Sequence, residues 1–120
     1  MENIELQNLI PWILLFAFIG YKIFASKKAG EAIKEITAKG DYQLIDVRSP
    51  EEYQSFNIPG SHNIPIDQFS KHIEEIDTTK PVIVYCASGM RSSMACGQLR
   101  SKGYQHVVNG GGIQNVMNSI

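Results

Sequence analysis

The chain has 120 residues, 43% of them hydrophobic and 19% charged, with a formal net charge of −1. That length allows one compact domain and a short appendage, and a near-neutral balance without a basic stripe excludes a nucleic-acid binder. Two cysteines, Cys86 and Cys96, are too few for the disulfide framework of a small secreted domain. Neither has a Cys or His at metal-ligand spacing, so no metal is expected and a reducing compartment is indicated.

After a tail of residues 1–8, the stretch 9–25 is apolar throughout except for Lys22. As a helix it would be about 25 Å long, close to a hydrocarbon core of about 30 Å. Pro11 would fall in the first turn of such a helix, where its missing N–H costs little, and Lys22 can reach the headgroups. A cleaved signal peptide would need a positive start, but Glu2 and Glu5 are the only charges before the run. A surface helix would need a polar face, which Trp12 to Tyr21 lacks. The reading is a single transmembrane helix. Lys22, Lys27 and Lys28 all lie downstream, so the carboxy-terminal part is expected in the cytoplasm, with an exported domain as the alternative. Residues 26–30 then form a linker and residues 31–120 the domain.

In the domain, Ala32, Ile33 and Ile36 oppose Glu31, Lys34 and Glu35, which predicts a short helix stopped at Gly40. Leu44 to Val47 is a strand candidate. Arg48-Ser49-Pro50-Glu51-Glu52-Tyr53 reads as a turn into a helix with Pro50 at its first position. Asn57 to Pro65 is a loop around a short extended piece, and Phe69 to Ile76 is helical. Pro81-Val82-Ile83-Val84-Tyr85 is the clearest strand, continuous and β-branched, as suits a parallel strand covered on both faces. Arg91 to Arg100 is a helix, Gln105 to Val108 a strand, Gly110-Gly111-Gly112 a turn and Ile113 to Ile120 a last helix. The alternation predicts an α/β domain with a mainly parallel sheet, in which reactive groups sit at the carboxyl ends of strands.

Cys86 stands at such an end. In Cys86-Ala87-Ser88-Gly89-Met90-Arg91-Ser92 a strand delivers the thiol, a loop turns the chain and a helix begins. The loop's N–H groups and the helix's first turn can converge into an anion nest. Gly89 supplies backbone freedom, and Arg91 adds a full positive charge at the loop's end. A thiolate there is expected to be stabilised, and Ser88 and Ser92 are candidate donors to a bound anion.

These residues resemble single-domain rhodaneses from about Gly30 onward. The likeness rests on the Cys86–Ser92 loop, on Leu44-Ile45-Asp46-Val47-Arg48 with Glu52-Tyr53, on Ile58 to Pro65, and on Val108-Asn109-Gly110-Gly111-Gly112-Ile113-Gln114. The resemblance implies a rhodanese-like, five-stranded parallel sheet flanked by helices. It also implies a Cys86 that is persulfidated and passes its sulfane sulfur to a thiophilic acceptor, held by Ala87, Ser88, Gly89, Met90, Arg91 and Ser92. Sulfur-transferring members count six residues from Cys to the loop's end, as Cys86 to Arg91 does, whereas phosphatases on the fold count seven. The expected function is a membrane-anchored sulfurtransferase that needs no metal or organic cofactor. Its partners would be a small sulfur donor such as thiosulfate or a persulfide, a thiol or protein acceptor, and the membrane through residues 9–25. The alternatives are a sulfur-delivery module without turnover and a phosphatase or arsenate reductase. Asp46 and Arg48 are possible supporting residues, Asp46 holding the loop by hydrogen bonds or, as the alternative, joining Arg48 in a structural network, and Arg48 and Glu52 are expected to pair or cap local backbone. His62 and Cys96 are read as structural.

Overall fold

The sheet is organised around β3 (Val82–Cys86), whose five residues are all buried. A computed structural model describes residues 5–120, so the first half of the 1–8 tail lies outside the described residues. β1 (Gln43–Asp46) pairs parallel with β3 on one side and β4 (Val107–Gly112) on the other. The two-residue β2 (His62–Asn63) extends the sheet beyond β1, giving the order β2-β1-β3-β4, all parallel.

Four strands are described where the resemblance implies five. Upstream of β1 the described chain is mostly helical. Residues Leu6–Lys39 form one continuous helix, α1, ended by Gly40 in the left-handed conformation (φ 84°) with its N–H on the Thr37 carbonyl. Nothing described before β1 is extended and able to pair, so β4 remains a sheet edge against which α1 packs. The same continuity changes two other expectations. Residues 26–30, read as a linker, are helical, and Pro11 sits inside α1 rather than in its first turn. There its missing N–H leaves the Gln7 carbonyl without its helical partner.

Side-chain alternation along β3 divides the core in two. Val82, Val84 and Cys86 face α3 (Phe69–His72) and α4 (Met90–Ser101), joining Ile45, Val47, Phe69, Ala95, Cys96 and Leu99. Ile83 and Tyr85 face the other way, joining Ile33 of α1, Leu44, Ile58 and Val116 of α5 (Ile113–Met117). The predicted helix over 69–76 is a single α-turn flanked by two 3₁₀ turns, Ile66–Gln68 and Ile73–Glu75. Tyr104 closes this corner, its hydroxyl donating to the carbonyls of Ile73 and Ile76 at 2.9 and 2.6 Å.

The glycine run predicted as a turn is the end of β4. Register slips between Val84 and Tyr85 of β3, so that Asn109 pairs with Val84 and Gly111 with Tyr85, leaving Gly110 as the extra residue of a bulge. A Cβ at Gly110 would stand 2.7 Å from Val116 Cγ2 and 3.2 Å from the Val84 carbonyl oxygen. Only a bare backbone fits between β3 and α5 at this point.

Ile33 is completely buried and is the side chain that fixes α1 to the sheet. Ile33→Ala is expected to cost about 2–5 kcal/mol, measured by chemical denaturation of the full chain in detergent. A loss below about 1 kcal/mol would show that α1 does not pack on the sheet in solution.

Candidate active site

Parallel pairing on both sides stops β3 at Cys86, and the pleat sends its side chain to the α4 face. The chain then turns through Ala87 and Ser88, both exposed, to Gly89, the N-cap of α4, at φ 103°. That left-handed geometry favours glycine and turns the Gly89 N–H back onto Cys86 Sγ at 2.8 Å. Ser92, buried in the first turn of α4, places its Oγ 3.6 Å from the same sulfur. From the far side, a Cβ on Gly112 would meet the Ala87 carbonyl oxygen at 2.7 Å, so β4 presses its bare backbone against the loop.

Burial pushes the Cys86 thiol up. Hydrogen bonds from the Ser92 hydroxyl and from the N–H groups of Ser92, Gly89 and Ser88 outweigh it, and the net effect holds the thiol below its ordinary value. Cys96, on the next turns of α4, has burial without such donors and is pushed up to about 11. The two cysteines share one core cluster but differ in chemistry for that reason. Both are unpaired.

Arg91 is not a bare charge over the nest. Its guanidinium forks onto Glu52 of α2 (Pro50–Ser55), with Nη1 donating to Oε1 at 2.7 Å and Nη2 to Oε2 at 3.2 Å. Glu52 also completes a capping box with Ser49, each accepting from the other's N–H at 3.2 Å. Glu52 thus caps local backbone as expected, while direct Arg48–Glu52 pairing is replaced by two separate pairs. Arg48 instead binds Asp46, Nε donating at 3.1 and 3.0 Å and Nη2 at 2.8 Å, with both residues buried. Nη2 also reaches the Phe56 carbonyl. Asn63 adds bonds to the carbonyls of Asp46 and Arg48 at 2.9 and 3.0 Å. Asp46 and Arg48 thus brace the turn after β1. His62 is exposed on β2, away from the loop. Met90, at the loop's outer edge, is 76% exposed.

Two contributions were not visible in the motifs. Lys22, Ser26 and Ala29 of α1 line a cavity of about 380 Å³ together with Ser88, Gly89, Asn109 and the glycines of β4. Ser26 Oγ donates to Asn115 Oδ1 at 3.0 Å across that contact. Asn109, which stands in the Val108–Gln114 motif but was given no role there, lies behind Ser92, 2.7 Å from its Oγ. Among the described residues, no group of three or more His, Cys, Asp or Glu could hold a metal.

A cysteine at the carboxyl end of a central parallel strand, ringed by loop N–H groups and a helix start, defines an α/β domain with a thiol held among hydrogen-bond donors. The rhodanese-like domain family model matches residues 29–118, and the chain belongs to that family. It is similar to the uncharacterized protein YqhL of Bacillus subtilis, 36% identical over 110 residues that cover 87% of each chain. It is also similar to the thiosulfate sulfurtransferase PspE of Escherichia coli, 39% identical over 74 residues, 60% of this chain and 71% of that one. A solved structure, described as rhodanese with anions from E. coli, superposes with a TM-score of 0.58 at 38% identity. It covers 62% of this chain and 89% of that one.

The Glu52–Arg91 pair has a pH signature. Arg91 holds the Glu52 carboxyl down to about 2, against an ordinary 4.5. A carboxyl depressed in the folded state contributes stability that is complete above about 4.5 and is lost as pH falls toward 2. With side chains 34% and 37% exposed, the pair is screened and its contribution is small. The melting-temperature gap between the native chain and Glu52→Gln, a variant that keeps the cap, is therefore expected above pH 4.5 and should close toward pH 2. A gap that does not change with pH would assign Glu52 to capping alone.

Proposed function

We propose that this chain is a membrane-anchored sulfurtransferase that carries sulfane sulfur as a persulfide on Cys86. The observation that carries this reading is the nest at Cys86 Sγ, where Gly89 N–H donates at 2.8 Å and the Ser92 and Ser88 groups hold the thiol below its ordinary value. The six-residue loop from Cys86 to Arg91 and the likeness to a thiosulfate sulfurtransferase support the same reading.

In the first step the Cys86 thiolate attacks the outer sulfur of the donor. A new S–S bond forms, and sulfite leaves thiosulfate, or a thiolate leaves a persulfide, with the electron pair of the broken bond. The negative charge now sits on the outer sulfur, within reach of the loop N–H groups. In the second step an acceptor thiolate, or cyanide in an assay, attacks that outer sulfur and Cys86 leaves as thiolate. This is covalent catalysis in two half-reactions with ping-pong kinetics. The loop side chains Ala87, Ser88 and Met90 are uncharged, and Arg91 is neutralised by Glu52. That balance favours a persulfide donor of low charge over the dianion thiosulfate, and it also suits a sulfur-delivery module with slow turnover on small donors.

Exposure of polysulfide to the purified chain is expected to add the mass of one sulfur atom, mapped to the peptide holding Cys86 and absent in Cys86→Ser. Sulfur found on Cys96, or on neither cysteine, would sink the reading.

The anchor reading rests on α1. Its best 18-residue window has a mean hydropathy of 1.8, and none of that window is buried against the domain. Trp12, Phe16, Phe18 and Phe24 are each about 60% exposed or more, a cover a soluble core helix would not leave bare. The flanking lysines support a cytoplasmic domain, where reducing conditions would keep Cys86 available for exchange. A reporter thiol on the exposed Gln105 (Gln105→Cys) should resist a membrane-impermeant maleimide in intact cells and react after lysis. Reaction in intact cells would establish an exported domain.

A further inference from the structure

Ser92 Oγ carries one proton and has three acceptors around it. Asn109 Oδ1 lies at 2.7 Å, the Gly89 carbonyl at 3.0 Å and Cys86 Sγ at 3.6 Å. The Gly111 N–H donates to the same Asn109 Oδ1 at 3.0 Å, so the amide oxygen, and not its nitrogen, must face Ser92. Asn109 therefore cannot give Ser92 a hydrogen bond at this contact. It can only take the one proton Ser92 has.

We propose that Asn109 is a positioning residue that draws the Ser92 hydroxyl away from Cys86 whenever Sγ is uncharged and yields it when Sγ becomes a thiolate. The role in turnover rests on the persulfide reading above. In the thiol, Cys86 S–H donates to Ser92 Oγ and Ser92 O–H donates to Asn109, a satisfied relay. When the thiol proton leaves to solvent, Ser92 Oγ would turn a lone pair toward a negative sulfur, so its hydroxyl rotates and donates to Sγ. Asn109 keeps the Gly111 N–H meanwhile and is not left unpaired. Once a second sulfur is bonded to Sγ the charge moves outward, and the hydroxyl returns to Asn109. No covalent bond to Ser92 or Asn109 changes at any stage.

The consequence is directional. Asn109 stabilises the thiol and the persulfide relative to the thiolate between them, so it keeps the nucleophile basic and favours loading. The other ionisable groups around the loop are Lys22 of α1, which lines the cavity beside Ser88 and Asn109, the Arg91–Glu52 pair, from α4 and α2, and the Asp46–Arg48 pair after β1. Cys96 of α4 stays a neutral thiol, pushed up to about 11 by burial. The Arg91–Glu52 and Asp46–Arg48 pairs are closed, and none of these groups hydrogen-bonds to Ser92 Oγ.

The test is alkylation of Cys86 in the full chain in detergent, followed by peptide mapping as a function of pH. Asn109→Ala is expected to lower the midpoint by about half to one pH unit, the worth of one hydrogen bond released to the thiolate. Ser92→Ala should raise it. The double variant should titrate with Ser92→Ala, because Asn109 acts only through Ser92. Above all midpoints, sulfur uptake from polysulfide should be slower in Asn109→Ala than in the native chain, since a more acidic thiol gives a weaker nucleophile. A merely structural role would not lower the midpoint and slow uptake together. If Asn109→Ala melts below the assay temperature, Asn109→Leu carries the same expectations. An unchanged or raised midpoint in the single variant, or a lowered one in the Ser92→Ala background, would overturn the proposal. Alkylation does not depend on sulfur transfer, so a native chain that never takes up sulfur would refute the proposed function and leave this assignment standing.

Discussion

Placing a negative sulfur at the end of a buried strand is costly unless dipoles are already aimed at it. Most of the domain can be read as the means of aiming them. β3 is clamped by parallel partners on both sides, which fixes where Cys86 stops. Gly89 turns its N–H inward, and α4 begins there and sets Ser92 underneath. Glycines on β4 then let a second backbone close against the loop from behind. No full charge is needed at the sulfur, and the guanidinium at the loop's end is committed to Glu52 instead. A cradle of dipoles tolerates a charge that arrives, moves out by one bond and departs, because nothing in it must change protonation.

The division between what the sequence revealed and what it hid follows the range of the interactions. β3, the Cys86 loop, the start of α2 at Pro50 and the stop at Gly40 depend on neighbours within a few residues, and all were legible. The burial of Cys96 followed from its place on the helix. What escaped depends on packing between distant segments. Gly110 to Gly112 reads as a turn, because glycine runs usually are one; it is strand because β3, α5 and the loop leave no room there for side chains. Arg91 is 39 residues from Glu52, and no local pattern announces that pair. The helical course of residues 26–30 belongs here too. A run of good helix formers continued past the apolar stretch, and its packing on β4 kept it helical.

Glu52 shows how such sites economise. One carboxylate closes the capping box of α2 and receives the fork of Arg91, so the start of one helix and the start of another are tied through two oxygens. The Asp46–Arg48 pair does the same for the turn after β1, with Asn63 tying it to β2. These are braces around the nest, and they explain why a loop whose turn, Ala87 to Gly89, carries only small side chains holds one shape.

The unbroken course of α1 has a mechanical meaning. In the spanning reading, Ala25 ends the apolar stretch, and Gly30, buried against the domain, follows about 8 Å further along the same helix. A flexible tether would let the domain tumble and sample a volume. A rigid strut fixes its height and its heading, with the cavity beside the loop held at the level of the headgroups. Encounters with anything in the same bilayer then become collisions in a plane between bodies of constant tilt. Which sulfur compounds this cysteine meets would be decided as much by lateral traffic along the membrane as by the shape of its pocket.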